Sequence, residues 1–196
     1  MDETITKAAE GAGAPPTGAW KIDPGHTNVG FVARHLMLTK VRGRFTEVEG
    51  AITIGETADA SSVEVRVKAD SIDTGNDGRD EHLRSADFLD VDTFSELVFR
   101  STKVEITGDT TLKVTGDLTI RDTTRPLVLD VEYEGVGPDP WGGTRVSFTA
   151  KTEIDREEWG ITWNAALESG GVLVSKKVQI ELDIQAVLQK VDEQVA

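Results

Sequence analysis

Three histidines, His26, His35 and His82, are the side chains with most chemical scope in a chain that contains no cysteine. As a metal triad they fail on spacing, because no two of them stand at a short ligand-pair interval. The acidic stretch DTGNDGRDE (73–81) invites a calcium reading. Aligned on Asp73 and Gly78, however, it places Gly75 where an oxygen ligand belongs and Arg84 where the bidentate glutamate should fall. A solvated loop capping a short helix is the expectation there, and no metal site or cofactor is expected. There is no nucleophile elbow, phosphate loop or dinucleotide fingerprint. With 35 acidic residues in the chain, paired carboxylates carry no signal for acid–base catalysis, so no catalytic residue is assigned.

The histidines then separate by context. His26 adjoins Pro24-Gly25 and reads as a structural hydrogen-bonder, and His82 sits in the helical stretch beside Glu81. His35 alone falls on an apolar strand face. It is either a core histidine satisfied by a buried partner or the polar contact for a ligand's head. Arg34 adjoins it and Arg44 follows on the next strand. A guanidinium fork suits phosphate, but strand parity turns both arginines away from the apolar face. They reach a head group only where the strand twists at a rim.

The elements that position these residues read as strands. In residues 26–50, Val29, Phe31, Ala33 and His35 alternate with Asn28, Gly30 and Arg34, and Val41, Gly43 and Phe45 alternate with Arg42, Arg44 and Thr46. A period of two marks strands with one face on an apolar interior. Near Glu47–Gly50 the apolar phase moves from odd to even positions, as a bulge would produce. Val63, Val65 and Val67 continue the pattern, as do Leu112 to Ile120, Leu127 to Tyr133, Val146 to Ile154 and Val178 to Leu188. Residues 95–106 form another strand, whose phase slips between Phe99 and Val104. Only the stretch from about 76 to 90 changes period, giving one short helical segment anchored by Leu83 and Phe88. Trp159 and Trp163 cluster with Ile161 in DREEWGITWN. About eight one-sided strands must bury their faces together, as a sandwich or as a closed antiparallel barrel, and at about eight strands a barrel can hold one small ligand.

Length and charge bound the rest. A chain of 196 residues fits one all-β domain, with residues 1–17 as a disordered tail, 18–190 as the domain and 191–196 as a polar end. The net charge of −14 disfavours nonspecific contact with nucleic acid or anionic membranes. No apolar run approaches the ~20 residues of a membrane span. Residues 1–17 lack the basic start and apolar core of a signal peptide, so a soluble cytoplasmic protein is expected. An incomplete barrel seam could support a homodimer.

Several segments together resemble the YceI-like family of polyisoprenoid-binding proteins. They are WKIDPGHTNVGFVARHL and VRGRFTEVEGAI, then SIDTGNDGRDEHLRSADFLDV and FRSTKVEI, then VTGDLTIRDTTRPLVLDV, FTAKTEIDREEWGITWN and VQIELDI. The resemblance runs from about Trp20 to Leu188, and Gly18-Ala19-Trp20 also matches the opening G-x-W of lipocalins. The family pattern usually has Ser where this chain has Thr27, which keeps the hydroxyl. The resemblance implies an all-β, extended, eight-stranded, antiparallel lipocalin-like barrel. A long isoprenoid or similar amphiphile, such as a prenyl phosphate or a quinone, would lie in its apolar interior. Carried onto this sequence, it favours Phe31, Phe45, Phe99, Phe148, Trp159 and Trp163 as cavity wall, and Leu83 and Phe88 beside the opening. His35, with Arg34 or Arg44, is the head-group candidate. Family members are often exported, a point on which this chain's start departs. A carrier or sequestering protein for a long-chain lipid is the leading expectation. An enzyme using the same cavity and a barrel filled by its own side chains are the competing ones.

Overall fold

In the computed structural model, which describes residues 13–168 and 170–190, one antiparallel sheet closes on itself. Its strands are β1 (Gly18–Ile22), β2 (Asn28–His35), β3 (Thr39–Phe45), β4 (Val48–Ile54), β5 (Ser62–Lys68), β6 (Ile72–Asp73), β7 (Glu96–Ile106), β8 (Thr111–Ile120), β9 (Thr123–Pro138), β10 (Thr144–Asp155) and β11 (Lys177–Leu188). The ring runs β1–β4–β5–β7–β8–β9–β10–β11 and returns to β1, through Ile22↔Ala186. This is the eight-stranded barrel implied by the resemblance, and closure leaves the ring no free edge.

Three of the eight staves are broken, so β1/β2, β3/β4 and β5/β6 each behave as one interrupted strand. Asp23 causes the first break: its carboxylate accepts from the Gly25 amide at 2.9 Å, and Pro24, which has no N–H, opens a single 3-10 turn. The second break, at Thr46–Glu47, is the phase flip seen in the sequence. The third is the 3-10 turn Ala69–Ser71. Below the breaks, β6 pairs only with β3. The helix α1 (Asp77–Arg84) and the turns that follow it fill the space before β7 begins. The predicted helix over 76–90 is therefore shorter, because Ser85 stops it and residues 85–94 fold as turns.

Asn76 caps α1 by accepting from the Arg79 amide at 2.9 Å, and Asp77 and Asp80 occupy the first turn, where the helix dipole favours them. The acidic loop is thus held by its own backbone. Asp80 is buried and accepts from the Thr74 amide at 2.9 Å, while Asp73 accepts from the Gly75 amide at 2.9 Å. Beneath the barrel, Ile72, Phe88, Leu89, Ile120, Trp159 and Ile161 pack as a plug, with Leu83 and Trp163 against it. At the other end, Trp20, Ile22, Tyr133, Val146 and Ala186 knit β1, β9, β10 and β11 together.

Residues 1–12 and 191–196 lie outside the described residues, so most of the expected tail does too. Gly13–Thr17, assigned to that tail by composition, packs on the barrel. Pro15 is buried, the Tyr133 hydroxyl donates to the Gly13 carbonyl, and Trp20 Nε1 donates to the Pro16 carbonyl at 3.2 Å.

The β2–β3 hairpin turns through Leu36 and Met37, both left-handed at φ 54° and 58°, with the Leu38 amide donating to the His35 carbonyl at 3.0 Å. That geometry suits Asn-Gly, and each of these two side chains costs about 1 kcal/mol there.

Candidate functional site

The apolar faces of the staves do not meet across the barrel. They enclose a continuous cavity of about 1020 Å³. Its lower end is walled by Phe31, Phe45, Ile120, Ile154 and Ile180, and its middle by Phe99, Val114, Leu129, Ala150 and Leu182. The upper part is walled by Ile52, Leu112, Tyr133, Phe148 and Ile184. The lining residues open to solvent are Thr53, Ser62, Thr107, Gly108, Asp109 and Thr111, and all of them lie at the end carrying the β7–β8 turn. The mouth is there, and the helical plug closes the opposite end.

Two glycines shape the wall. A Cβ at Gly43 would strike the Phe31 ring, and one at Gly116 would strike the Phe99 ring and the Arg100 carbonyl. Each glycine lets an aromatic ring lie flat across the neighbouring strand, as when aromatics cover strand glycines.

The polar chemistry of the cavity is confined to its rim. Ser61, Ser62, Thr53, Thr107, Thr110 and Thr111 supply hydroxyls, and Asp109 supplies the one carboxylate. No Lys, Arg or His lines the cavity among the described residues. Inside, Tyr133 is the only phenol; it donates to Gly13, and burial pushes its pKa up, so it stays a neutral donor. Outside the wall, Arg145 bridges Asp23 at 2.5 Å, Asp139 at 3.1 Å and Gln185 at 2.8 Å, tying β10 to β11 and to the end of β1. The Arg145 guanidinium, opposed by burial and helped by His26, holds the Asp23 carboxyl down at about 2.

Of the residues assigned to the wall from sequence, Phe31, Phe45, Phe99 and Phe148 line the cavity. Leu83, Phe88, Trp159 and Trp163 do not, and the helix does not stand beside the opening. They belong to the plug at the closed end. Trp159 Nε1 donates to the Leu118 carbonyl at 3.0 Å, and Trp163 meets His82 edge-on at 4.6 Å between ring centres.

His35 is also misplaced by the sequence reading. Its parity with Val29 and Phe31 holds, but β2 pairs with β11 only from Asn28 to Val32, and the hairpin then runs past the barrel wall. His35 ends on the exterior, exposed, bridged to Val174. Arg34 and Arg44 are exposed on the outer face, as parity required, and Arg44 sits 3.6 Å from Asp73. None of the three reaches the cavity. Reasoning from sequence also missed the hydroxyl rim at 107–111, whose composition matches any solvated turn. Ala150 and Tyr133 were legible as inward positions but carried nothing to single them out.

Arg156 is a further buried group, outside the cavity. It donates to the Ser175 carbonyl at 3.0 Å and the Ile161 carbonyl at 2.7 Å, and lies over the Phe88 ring. With no carboxylate bonded to it among the described residues, burial pushes its pKa down. Its role is to tie the 156–176 loop to the plug.

A YceI-like domain model matches residues 20–186. The chain belongs to the YceI-like family. A UPF0312 protein of Staphylococcus aureus is 39% identical over 166 residues, covering 82% of this chain and 92% of its own length. The crystal structure of the Campylobacter jejuni YCEI protein superimposes with a TM-score of 0.69 at 25% identity, covering 80% of this chain and 90% of that one. A polyisoprenoid binding domain from Saccharophagus degradans superimposes with a TM-score of 0.68 at 14% identity, covering 89% of this chain and all of that one. At that identity the last match establishes a shared barrel.

Proposed function

We propose that this YceI-like protein binds a polyisoprenoid or similar long-chain amphiphile in its barrel and carries or sequesters it without chemical change. One observation carries the reading: a single apolar cavity of about 1020 Å³ that is closed by a plug at one end and opens through hydroxyls at the other. At the packing density of a protein interior, about 0.75, such a volume accepts a chain on the order of 40 carbons. Each buried CH₂ contributes about 0.8 kcal/mol, against the cost of ordering a flexible ligand. The family membership and the polyisoprenoid binding domain among the structural neighbours support the same reading.

The rim narrows the head group. A prenyl phosphate would meet Asp109 and no cation, whereas a quinone, alcohol or amide would meet the hydroxyls of Thr53, Ser62 and Thr111, which donate to no other group among the described residues. The head is therefore uncharged. This replaces the phosphate contact with His35, Arg34 and Arg44 considered from the sequence. An enzyme reading rested on His35 facing inward and loses that support. A self-filled barrel is contradicted by the cavity.

Reloading the delipidated protein with a polyprenol and with the polyprenyl phosphate of equal length tests the reading. The alcohol is expected to bind at least tenfold more tightly. Tighter binding of the phosphate would refute the uncharged head group.

A further inference from the structure

The hairpin tip joining β2 to β3 brings exposed apolar side chains and basic residues together. Leu36, Met37 and Leu38 are 37%, 53% and 78% exposed, three consecutive apolar side chains at one convex turn. The hairpin itself, residues 28–46, carries Arg34, Lys40, Arg42 and Arg44 and no acid, in a chain of net charge −14. Arg34, Lys40 and Arg42 form no ion pair among the described residues. The acids that strand register sets beside the hairpin, Asp73 opposite Arg44, Glu181 opposite Gly30 and Asp183 opposite Asn28, lie toward its base, and Glu168 sits on the turn of the neighbouring loop. The backbone also holds Leu36 and Met37 in the left-handed region, where Asn-Gly would be unstrained. The fold therefore tolerates a strained turn that keeps apolar side chains in water.

We propose that this tip is a membrane-docking element that enters the interface of an anionic bilayer, with Leu36, Met37 and Leu38 at the acyl boundary and Arg34, Lys40 and Arg42 on lipid phosphates. A bilayer fits better than a protein partner. A stable protein interface buries about 800 Å² on each side, more than a three-residue convex tip offers. Interfacial insertion instead gains from each apolar side chain separately and adds attraction between basic residues and anionic lipid.

The tip is at the plugged end, and β11 spans its 12 residues, roughly 40 Å, between that end and the mouth. Docking therefore leaves the mouth facing water. It holds the barrel at a membrane surface without filling it, and stands independently of what the cavity binds.

Vesicle flotation tests the proposal, comparing vesicles of phosphatidylglycerol mixed with phosphatidylcholine against phosphatidylcholine alone. The wild-type protein is expected on the anionic vesicles only, with binding weakened by salt. Lys40→Gln and Arg42→Gln are each expected to lower partitioning roughly fivefold. The double variant Leu36→Asn, Met37→Gly replaces the strained turn with its favoured sequence. It is expected to raise the thermal midpoint while losing vesicle binding, so lost binding cannot be blamed on misfolding. Ala150→Trp, inside the cavity, is expected to float as the wild type does. Absence of wild-type binding, equal binding to both vesicle types, or loss of binding in Trp141→Ala, the 81% exposed side chain at the mouth end, in place of the tip variants, would overturn the proposal.

Discussion

Ala150→Trp offers the sharpest probe of how the cavity holds its ligand. Ala150 is buried at mid-barrel, paired with Leu182 and Val131, and is the smallest side chain of the central wall. An indole there projects toward Phe99 and Val114 and divides the cavity. Four residue steps along β10 take the chain from Ala150 to Ile154 at the floor, about 13 Å of strand rise. Closing that length excludes on the order of ten chain carbons, and at 0.8 kcal/mol each the loss approaches 8 kcal/mol before the relieved ordering cost is returned. An affinity loss of at least a hundredfold is therefore expected for long chains. Chains short enough to fit above residue 150 should bind as they do to the wild type. Native mass spectrometry with a homologous series of prenyl alcohols reads both limits on one protein. Equal loss at every chain length, or no loss at the longest, would refute a ligand lying along the barrel axis.

Other consequences follow from particular contacts. Gly116→Val drives a side chain into the Phe99 ring and the Arg100 carbonyl, and should cost about 1–3 kcal/mol by denaturant unfolding while reducing ligand uptake. Arg156→Met leaves the Ser175 and Ile161 carbonyls without their donor, for an expected loss of about 2–3 kcal/mol, with the cavity intact. The depressed pKa of Asp23, about 2 against 3.8, makes its contribution fully present above pH ~4 and lost as pH falls toward 2. That contribution is about 1–2 kcal/mol after allowance for partial exposure. The stability gap between the wild type and Asp23→Asn should therefore close over that range, and a gap unchanged at pH 2 would remove the Arg145 pairing as its cause.

Most of the barrel was legible because its signal is local. Alternation in Val63–Val67, Leu112–Ile120 and Val178–Leu188 states which side chains face inward, and the phase changes near Glu47 and after Phe99 mark a strand break and a bulge between Ser101 and Lys103. What alternation cannot say is how far along the barrel a strand remains in the wall. His35 obeys the parity of Phe31, yet it lies past the end of the β2–β11 pairing, and only register reveals that. The two tryptophans failed for a related reason. Trp159 and Trp163 follow β10 in a loop that turns beneath the barrel, so their size fitted a wall while their position made them a floor. Alternation alone leaves sandwich and barrel equal, since they share one pattern and differ only in whether β1 meets β11; the family resemblance is what pointed to the closed barrel that the structure has.

The barrel is expected to be occupied in the cell. Native mass spectrometry of the gently purified protein tests this most directly, with the released lipid identified after denaturation. The expected result is a long-chain isoprenoid or related amphiphile with an uncharged head, lost on delipidation and regained on reloading. A protein that is always free of lipid and takes up no prenyl compound would contradict it.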